Sequence, residues 1–504
     1  MMNLRALVFF MGVFSLCVQA ATTVDNTAIA AEDQSGNWLS YGRTYSEQRY
    51  SPLKQVNAEN VGGLKLDWYL DMPDSKALNA TPLVVDGVMY FTASQSIVFA
   101  VDASSGEVLW QYDPEVLKRL ANKKSLRFNW GSNRGVAFWK GSVFVGTFDG
   151  RLIALDAKTG KPRWTSRVFP EGEPRYITGA PRVFNDRVLM GHGGAEAGAI
   201  RGYVSAFATS TGAEIWRTYI VPGNPADGFE SEALKRAAGT WRGDWWLHGG
   251  GGTVWNSMTY DPELNRVYLG TGNGSPWNQE IRSPGGGDNL YLASILALDA
   301  ETGDYVWHYQ VNPGETWDYN SAMDIVMAEI PWQGKPTKVL LHAPKNGFFY
   351  VLDRLTGKLL GAEKFGRVNW AERIDLKTGR PVENPEARMP AGESTVYPGY
   401  LGAHSWHSMS YNPDTGLVYL PYQEMAAYYD NRGINREKWR AREFIMNSGY
   451  QPYRGDIPVT EVNSALQSRG MPRYDELNDR EMEQIYWFVR ARTRESLAAD
   501  LSEN

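Results

Sequence analysis

Cysteine is nearly missing from this 504-residue chain, in which Cys17 is the single example. One cysteine cannot form an intrachain disulfide or a thiolate metal site, and covalent attachment of a c-type haem needs two cysteines and a histidine. Cys17 also lies within the N-terminal segment that we interpret below as a secretory signal, so we expect a mature protein without cysteine. Bound haem c is therefore not expected.

Basic charge is not in excess either, because the formal net charge is −6. Nucleic-acid-binding surfaces are basic and clustered, so we expect no nucleic-acid partner. The sequence has neither a Gly-x-Ser-x-Gly nucleophile motif nor a glycine-rich phosphate loop. Its six histidines show no metal-ligand spacing.

The N-terminal apolar stretch at 6–18 is too short for a confident membrane span. Arg5 precedes it, and Val18-Gln19-Ala20 follows as a small-residue cleavage site. This order of basic, apolar and small residues is typical of a secretory signal. We interpret residues 1–20 as that signal and expect a periplasmic protein, with an uncleaved anchor as the alternative.

One sequence phrase recurs along the chain: an apolar strand, a turn that ends in glycine, and a second strand that carries Trp. The turn glycines are Gly106, Gly160, Gly212, Gly303 and Gly357, at steps of 54, 52, 91 and 54 residues. Glycine supplies the positive φ that such a turn needs, and a Trp at a fixed place can pack flat against the next unit. Repeats near 50 residues made of short strands predict an all-β fold of the β-propeller type.

Six repeat units are recognisable, at about 82–110, 136–164, 181–216, 254–307, 324–361 and from 407 onward. The last copy of the phrase, at 351–357, is incomplete because it lacks the closing Trp. The long step of 91 residues contains an insertion with a predicted short helix around 230–237. After about residue 425 the strand pattern stops, and a helical pattern follows. The predicted domains are a signal at 1–20, a propeller at 31–450 and an α-helical tail at 456–495.

Three polar side chains lie in predicted loops that follow strand-like runs: Glu196, Asn273 and Asp318. Two carboxylates and an amide oxygen form a hard-oxygen set suited to Ca²⁺. Taken one at a time, each is more often a turn or capping residue. Two further positions are open to two interpretations: Trp255 is a flat platform or another docking Trp, and Lys345 points inward or is solvated.

Several longer stretches closely resemble the pyrroloquinoline quinone (PQQ)-dependent alcohol dehydrogenases, specifically the quinohaemoprotein branch. The resemblance covers about 36–425 and is carried by these motifs: Tyr41-Gly42-Arg43, Gln48-Arg49-Tyr50-Ser51-Pro52-Leu53, the stretch 146–156, Gly251-Gly252-Thr253-Val254-Trp255, the stretch 271–278, Trp317-Asp318-Tyr319 and the stretch 342–350. It implies an eight-bladed propeller with PQQ in an axial funnel, of which about six blades are recognisable.

The resemblance also implies roles for individual residues. Asp318 would be the general base in the oxidation of an alcohol to an aldehyde, and electrons would pass to an external acceptor such as a cytochrome c. The remaining roles are as follows: Glu196, Asn273 and Asp318 would bind Ca²⁺, Trp255 would form the floor under PQQ, Arg134 and Thr178 would contact its polar edge, Lys345 would approach its reactive carbonyl, and Gly194 and Ala195 would line the cofactor.

This chain departs from the family pattern at several positions. Phe128 and Asn129 stand where two adjacent cysteines are usual, Asn79 replaces a common Glu, and Ser405 lies where His-Asn-Trp is usual. Asn320 stands where lanthanide-using relatives carry an extra Asp, which implies Ca²⁺ as the metal.

The last blades are also missing, and the tail resembles the end of the family's cytochrome c domain. Open sheet edges invite partner strands, so a homo-oligomer is one expectation. A non-catalytic periplasmic scaffold and a degenerate, inactive relative are the alternatives to an active dehydrogenase.

Overall fold

The computed structural model describes residues 22–33, 36–72, 75, 77–120, 131–440 and 448–450. The predictions for the signal at 1–20, for Phe128 and Asn129, and for the helical tail at 456–495 lie outside the described residues. Within the described part, no helix combines the length and the apolar character that crossing a membrane requires.

Five four-stranded antiparallel sheets follow one another along the chain. The first contains β1 (Leu83–Val85), β2 (Val88–Thr92), β3 (Val98–Asp102) and β4 (Val108–Tyr112). The second contains β5 (Ala137–Trp139), β6 (Ser142–Gly146), β7 (Arg151–Asp156) and β8 (Pro162–Arg167). The third contains β9 (Arg182–Phe184), β10 (Arg187–Gly191), β11 (Tyr203–Ala208) and β12 (Glu214–Tyr219).

The fourth and fifth sheets repeat this plan. The short strand β13 (Gly250–Gly251) precedes the fourth sheet, which contains β14 (Met258–Asp261), β15 (Arg266–Gly270), β17 (Ser294–Asp299) and β18 (Tyr305–Gln310). The intervening β16 (Gly274–Ser275) pairs with β13. The fifth sheet contains β19 (Ile325–Trp332), β20 (Lys335–His342), β21 (Phe348–Asp353) and β22 (Leu359–Lys364).

The remaining elements are short. Three two-stranded pairs follow the fifth sheet: β23 (Ala371–Asp375) with β24 (Arg380–Glu383), β25 (Glu393–Val396) with β28 (Ala427–Asp430), and β26 (Ser410–Asn412) with β27 (Leu417–Tyr419). The α-helices are α1 (Asn26–Ala30), α2 (Val116–Arg119), α3 (Glu232–Ala238) and α4 (Gln279–Arg282). The 3₁₀ turns are Val61–Gly63, Ser94–Ser96, Pro225–Asp227, Trp245–His248 and Pro385–Arg388.

The recurring phrase forms the third and fourth strands of each sheet, as predicted. An Asp at the end of the third strand caps the turn, as where Asp156 Oδ1 accepts from the backbone N–H of Thr159 at 3.0 Å. Gly160 then takes a φ of 68°, a left-handed conformation that glycine adopts without steric cost. The register shifts by a β-bulge after Ala154, and the same shift occurs at the matching place in the other four sheets. These shared details confirm that the five sheets are copies of one unit.

The repeated Trp of the first four sheets joins each of them to the next. The Trp110 ring lies so close to Gly160 of the following sheet that a Cβ there would approach it to 2.6 Å. Trp110 Nε1 also donates to the carbonyl of Ala157 at 2.9 Å. Trp164, Trp216 and Trp307 pack in the same way on Gly212, Gly303 and Gly357. The predicted docking role of the repeated Trp is therefore confirmed.

The predicted sixth unit is smaller than expected. Among the described residues it contributes only the β26–β27 hairpin, and Met409 and Tyr411 pack against Val339 and Leu341 of the fifth sheet. The sequence predicted six units, and the structure has five complete sheets and this partial one. The predicted helix of the long insertion is confirmed as α3.

The N-terminal segment covers the hairpins that join the first and second strands. Thr22 contacts Asp86 of the first hairpin, and the backbone N–H of Lys140 in the second hairpin donates to the Val24 carbonyl at 3.0 Å. Further along, Tyr45 donates to the carbonyl of Val183 in the third sheet at 3.1 Å. The same segment also reaches the other end of the strands, where Arg182 at the start of β9 donates to Glu47 at 2.8 Å.

Candidate functional site

All the candidate residues lie in connections at one face of the sheets. In an antiparallel sheet, the start of the first strand and the end of the second strand lie at the same end. Arg134, Thr178, Trp255 and Asp318 precede the first strands of the second, third, fourth and fifth sheets, and Gly194, Ala195, Glu196, Asn273 and Lys345 follow second strands. Asp318 lies in the loop at 311–324, which follows β18 and leads into β19.

Asp318 is a buried acidic residue of this face. It is 6% exposed and has a φ of 66°, which is uncommon for a residue other than glycine. Its Oδ2 accepts from Lys345 Nζ at 2.9 Å, and its Oδ1 accepts from Asn320 Nδ2 at 2.7 Å. Burial raises the pKa of Asp318 to about 8, although the Lys345 charge acts to lower it and the Glu196 charge adds to the increase.

Lys345 is buried by the chain rather than solvated. It is 7% exposed, and its ammonium group forms an ion pair with Asp318. Gly402 packs against its aliphatic stem so closely that a Cβ there would approach Lys345 Cγ to 2.6 Å. The backbone N–H of Ala403 donates to the Lys345 carbonyl at 3.0 Å. The structure thus selects the inward-pointing interpretation of this residue.

Asn320 joins three of the candidate residues through its carboxamide. Its Oδ1 accepts from Trp255 Nε1 at 2.9 Å and from the backbone N–H of Asn273 at 3.2 Å. Its Nδ2 donates to Asp318, as described above. The Nδ2 of Asn273 in turn donates to the Gly274 carbonyl at 3.0 Å, an orientation in which Oδ1 remains as the atom available to a cation.

Trp255 lies beside a buried cation. The guanidinium of Arg134 is 5.0 Å from the ring centroid of Trp255 and 4.8 Å from that of Trp406. Arg134 is 5% exposed and donates to Thr178 Oγ1 at 2.7 Å. Because Trp255 Nε1 bonds to a site side chain and not to a turn carbonyl, Trp255 differs from the docking tryptophans.

Arg134 has no salt bridge with a carboxylate among the described residues, and its Nε has no hydrogen-bond partner there. Burial lowers the pKa of Arg134 to about 10. A buried cation without an anionic partner carries an unfavourable desolvation free energy. Its surroundings are therefore suited to an anionic ligand.

Glu196 is tied to the site through Tyr176 and through charge. Tyr176 donates to Glu196 Oε2 at 3.4 Å, and its ring stacks on Phe148 with a centroid separation of 5.3 Å. Gly194 has a φ of 120° and approaches the carbonyl of Pro174 too closely for a side chain. Ala195 is buried. Glu196 and Asn273 both follow second strands at this face, and no hydrogen bond joins them in the described part of the chain.

The calcium set contains only two carboxylates. Over the described ranges, no group of three or more His, Cys, Asp or Glu side chains is placed to hold a metal ion. The predicted set of Glu196, Asn273 and Asp318 contains only two such side chains, because Asn273 is an amide, so this finding does not bear on it.

Sequence reasoning missed three residues of this face, which are Tyr176, Glu315 and Trp406, and it also missed the linking role of Asn320. Trp406 and Glu315 lie within three residues of positions that the sequence analysis discussed, yet neither recurs in the repeat phrase. Their contacts depend on loops from different sheets, which a linear pattern does not reveal.

Comparisons with known proteins identify the family of the chain. The family model described as "PQQ: Glucose/ethanol/alcohol dehydrogenase, beta-propeller domain" matches residues 38–362. The quinohemoprotein alcohol dehydrogenase ADH IIB of Pseudomonas putida is 54% identical over 457 residues, which are 90% of this chain and 64% of that protein. The quinohemoprotein alcohol dehydrogenase of Comamonas testosteroni is 51% identical and covers 81% of this chain, but only 57% of its own length is matched.

Solved structures show the same likeness. The structure of ADHIIG from Pseudomonas putida superimposes with a TM-score of 0.81 at 49% identity, over 86% of this chain and 64% of that one. The β-propeller prediction is confirmed by these matches. The chain spans 64% of the length of its Pseudomonas putida ADH IIB relative. On this sequence and structural evidence, the chain belongs to the PQQ-dependent alcohol dehydrogenase family.

Proposed function

We propose that this chain oxidises an alcohol to an aldehyde with PQQ and Ca²⁺, and that it passes the electrons to an external acceptor such as a cytochrome c. The observation that carries the proposal is the continuous set of contacts from Arg134 through Trp255 and Asn320 to Asp318 and Lys345. The set brings an unpaired cation, a flat aromatic ring and a buried base to one face.

The residues present fit PQQ, which is planar and carries carboxylates. Arg134 offers a buried guanidinium with an unpartnered Nε, and guanidinium groups bind carboxylates in defined geometry. Thr178 Oγ1 holds that guanidinium at 2.7 Å. Trp255 would lie against the ring system, and Gly194 and Ala195 would allow close approach of the backbone.

The same face offers oxygen ligands for Ca²⁺. Asn273 would supply Oδ1, while Glu196 and Asp318 would supply carboxylate oxygens, a donor set that this hard cation prefers. The Glu196 charge raises the pKa of Asp318, which reflects repulsion between two acids that a divalent cation would relieve. Asn320 adds no further negative charge, so a divalent ion is favoured over a trivalent one.

When bound, PQQ would supply the two-electron acceptor and Ca²⁺ the Lewis acid of the reaction. The chain's own contribution begins with Asp318, whose carboxylate takes the hydroxyl proton of the alcohol. Lys345 and Asn320 fix its two oxygens by hydrogen bonds at 2.9 and 2.7 Å. A positioned base of this kind contributes about 10²–10⁴ in rate.

The proposed location is the periplasm, where an alcohol and an external electron acceptor are both accessible. The motivation is the signal-like sequence at 1–20 together with membership in this family. Cys17 is the only cysteine of the 504 residues, and covalent attachment of a c-type haem needs two, so the acceptor proposed here is a separate molecule such as a cytochrome c.

Reconstitution tests the proposal. Purified protein is treated with chelator, supplied with PQQ and Ca²⁺ separately and together, and assayed for dye reduction with a series of primary alcohols. We expect dye reduction only when both are present. Binding of neither PQQ nor Ca²⁺ would favour a non-catalytic scaffold, and binding without dye reduction would favour an inactive relative.

A further inference from the structure

Glu315 is a buried carboxylate that the proposed reaction does not use. It is 0% exposed and lies at the start of the loop that carries Asp318. Its Oε1 accepts from the backbone N–H of Tyr319 at 2.8 Å, and its Oε2 accepts from the backbone N–H of Gly274 at 3.2 Å. One carboxylate thus joins the residue after Asp318 to the residue after Asn273.

Arg282 binds the backbone of Glu315, and its charge acts on the carboxylate without a hydrogen bond to it. It is also 0% exposed, and its Nη2 donates to the Glu315 carbonyl at 2.5 Å while its Nη1 donates to the Trp277 carbonyl at 2.7 Å. Any Cβ at Gly274 would collide with the guanidinium. Burial raises the pKa of Glu315, and the Arg282 charge acts to lower it. A buried carboxylate is costly without such partners, so its presence calls for a role.

The Glu315 carboxylate fixes the positions of the backbone amides of Gly274 and Tyr319. Asn273 and Asp318 come from loops of different sheets, which the Asn320 carboxamide already links on one side. The Glu315 carboxylate spans both loops, and hydrogen bonds to an ionised acceptor are stronger than those between neutral groups. It therefore restrains the two loops where their oxygen ligands emerge.

We propose that Glu315 is a positioning residue that sets the separation of Asn273 and Asp318 for cation binding. This inference rests on the proposed function for its ligand, but the restraint itself is a property of the protein alone. Removal of groups that orient metal ligands typically costs 10–100-fold in metal affinity. Both carboxylate oxygens of Glu315 bond to backbone amides, so its proposed effect acts through the two loops.

Two variants test the restraint. Glu315→Gln keeps the shape but replaces one acceptor oxygen with an N–H₂ donor, so one backbone N–H loses its partner. Glu315→Asp keeps the charge but withdraws the carboxylate by one methylene, which also breaks the bridge; it serves if the first variant does not fold. The matched control is Asp261→Asn. Asp261 is likewise 0% exposed and accepts from the backbone N–H of Glu263 at 3.0 Å, but at the opposite end of the fourth sheet.

Two readouts are measured: the Ca²⁺ dissociation constant by calorimetry, and hydrogen exchange of the Gly274 and Tyr319 amides in metal-free protein. We expect the Glu315 variants to bind Ca²⁺ about 10–100-fold more weakly and to exchange both amides faster, with Asp261→Asn unchanged in both. Wild-type affinity and exchange in the Glu315 variants would overturn the inference, as would an equal loss in Asp261→Asn. If the wild type itself binds no Ca²⁺, the proposed function fails, and the exchange comparison alone decides the restraint.

Discussion

The interfaces inside the row of sheets differ from the ends of that row. Trp110 and Trp68 make the same docking contact, since Trp68 packs on Gly106 and donates to the Ala103 carbonyl at 3.1 Å. Around Trp110 the partner strands of its own sheet are present, whereas around Trp68 the neighbours Leu64, Leu66 and Tyr69 are 63%, 78% and 73% exposed. The docking contact is therefore local, and burial of the strand around it depends on the rest of the sheet.

The other end of the row shows the same exposure. In and beside the β26–β27 hairpin, Leu417, Tyr419, Tyr422 and Met425 are 53%, 54%, 45% and 46% exposed. Most residues of the candidate site are buried and lie between these ends, in connections of the second to fifth sheets. The segment that leads into β26 also contributes, since Trp406 lies beside Arg134 and Ala403 bonds to Lys345. The comparison teaches that the site is buried even where the strands next to it are exposed.

The largest expected effect comes from removal of the proton acceptor at the interior site. Asp318→Asn is expected to lower alcohol oxidation by about 10²–10⁴ while PQQ remains bound, because Arg134 and Trp255 are untouched. Steady-state rates and PQQ content are measured together. Asp186→Asn, on the opposite face, is the control and should keep both. Wild-type turnover in Asp318→Asn would contradict the assignment.

The second largest expected effect on activity comes from exchange of the metal ion. After chelation, Ca²⁺ is expected to restore activity and La³⁺ is not, because Asn320 brings no charge for a trivalent ion. Loss of the Lewis acid removes several kcal/mol of charge stabilisation. Dye reduction is measured against the concentration of each ion. Restoration by La³⁺ alone would refute the expectation.

Two docking tryptophans compare the interior with the end directly. Trp164→Ala removes a ring that packs on Gly212 and donates to the Thr209 carbonyl at 2.9 Å, and we expect a loss of about 3 kcal/mol in the free energy of unfolding. Trp68→Ala should cost less, because its surroundings are already open to solvent. Denaturant titration of both variants checks this order. Equal losses would mean that the end of the row is as cooperative as its interior.

The exposed ends predict self-association. Light scattering is expected to give a mass above that of the 56.5 kDa chain, since open edges bearing apolar side chains attract partner strands. Leu66→Glu should reduce that mass, and Leu376→Glu, at a 52% exposed leucine away from both ends, is the control. A monodisperse monomer that oxidises alcohols would show that the ends need no partner.

The smallest effect concerns pH and the buried His342. Its Nε2 pairs with Ser321 at 2.9 Å and its Nδ1 with the Asp324 carbonyl at 2.9 Å, and burial lowers its pKa from 6.5 to about 4. Between these two pH values, His342 is protonated in the unfolded chain but neutral in the folded chain. The contribution of His342 to the free energy of unfolding should be fully present above pH 6.5 and should be lost as the pH drops towards 4. Melting temperatures of the wild type and His342→Asn between pH 7 and 4 check this, and identical slopes would exclude a contribution of His342.

The sequence predicted the contacts that recur in every repeat unit, but it did not predict the contacts between loops of different sheets. The turn glycines and the Trp that follows each of them predicted the docking geometry because every unit solves the same packing problem. Trp68 was missed since no turn glycine precedes it at the usual spacing. The pairing of Lys345 with Asp318, and the carboxylate of Glu315 between two loops, arise only when separate sheets meet. No linear spacing encodes such contacts, and the roles of these residues in binding and catalysis stay predictions.

The docking contact also has a direction, and the direction bears on how the chain acquires its structure. Each Trp lies on the last strand of one sheet and is received by a turn of the next, as where Trp110 meets Gly160. During synthesis from the N-terminus, the donor ring is thus complete before its receptor turn exists. Each new sheet can therefore fold against the Trp side chain of the sheet that precedes it. Folding is expected to propagate along the chain one sheet at a time, as in other repeat proteins.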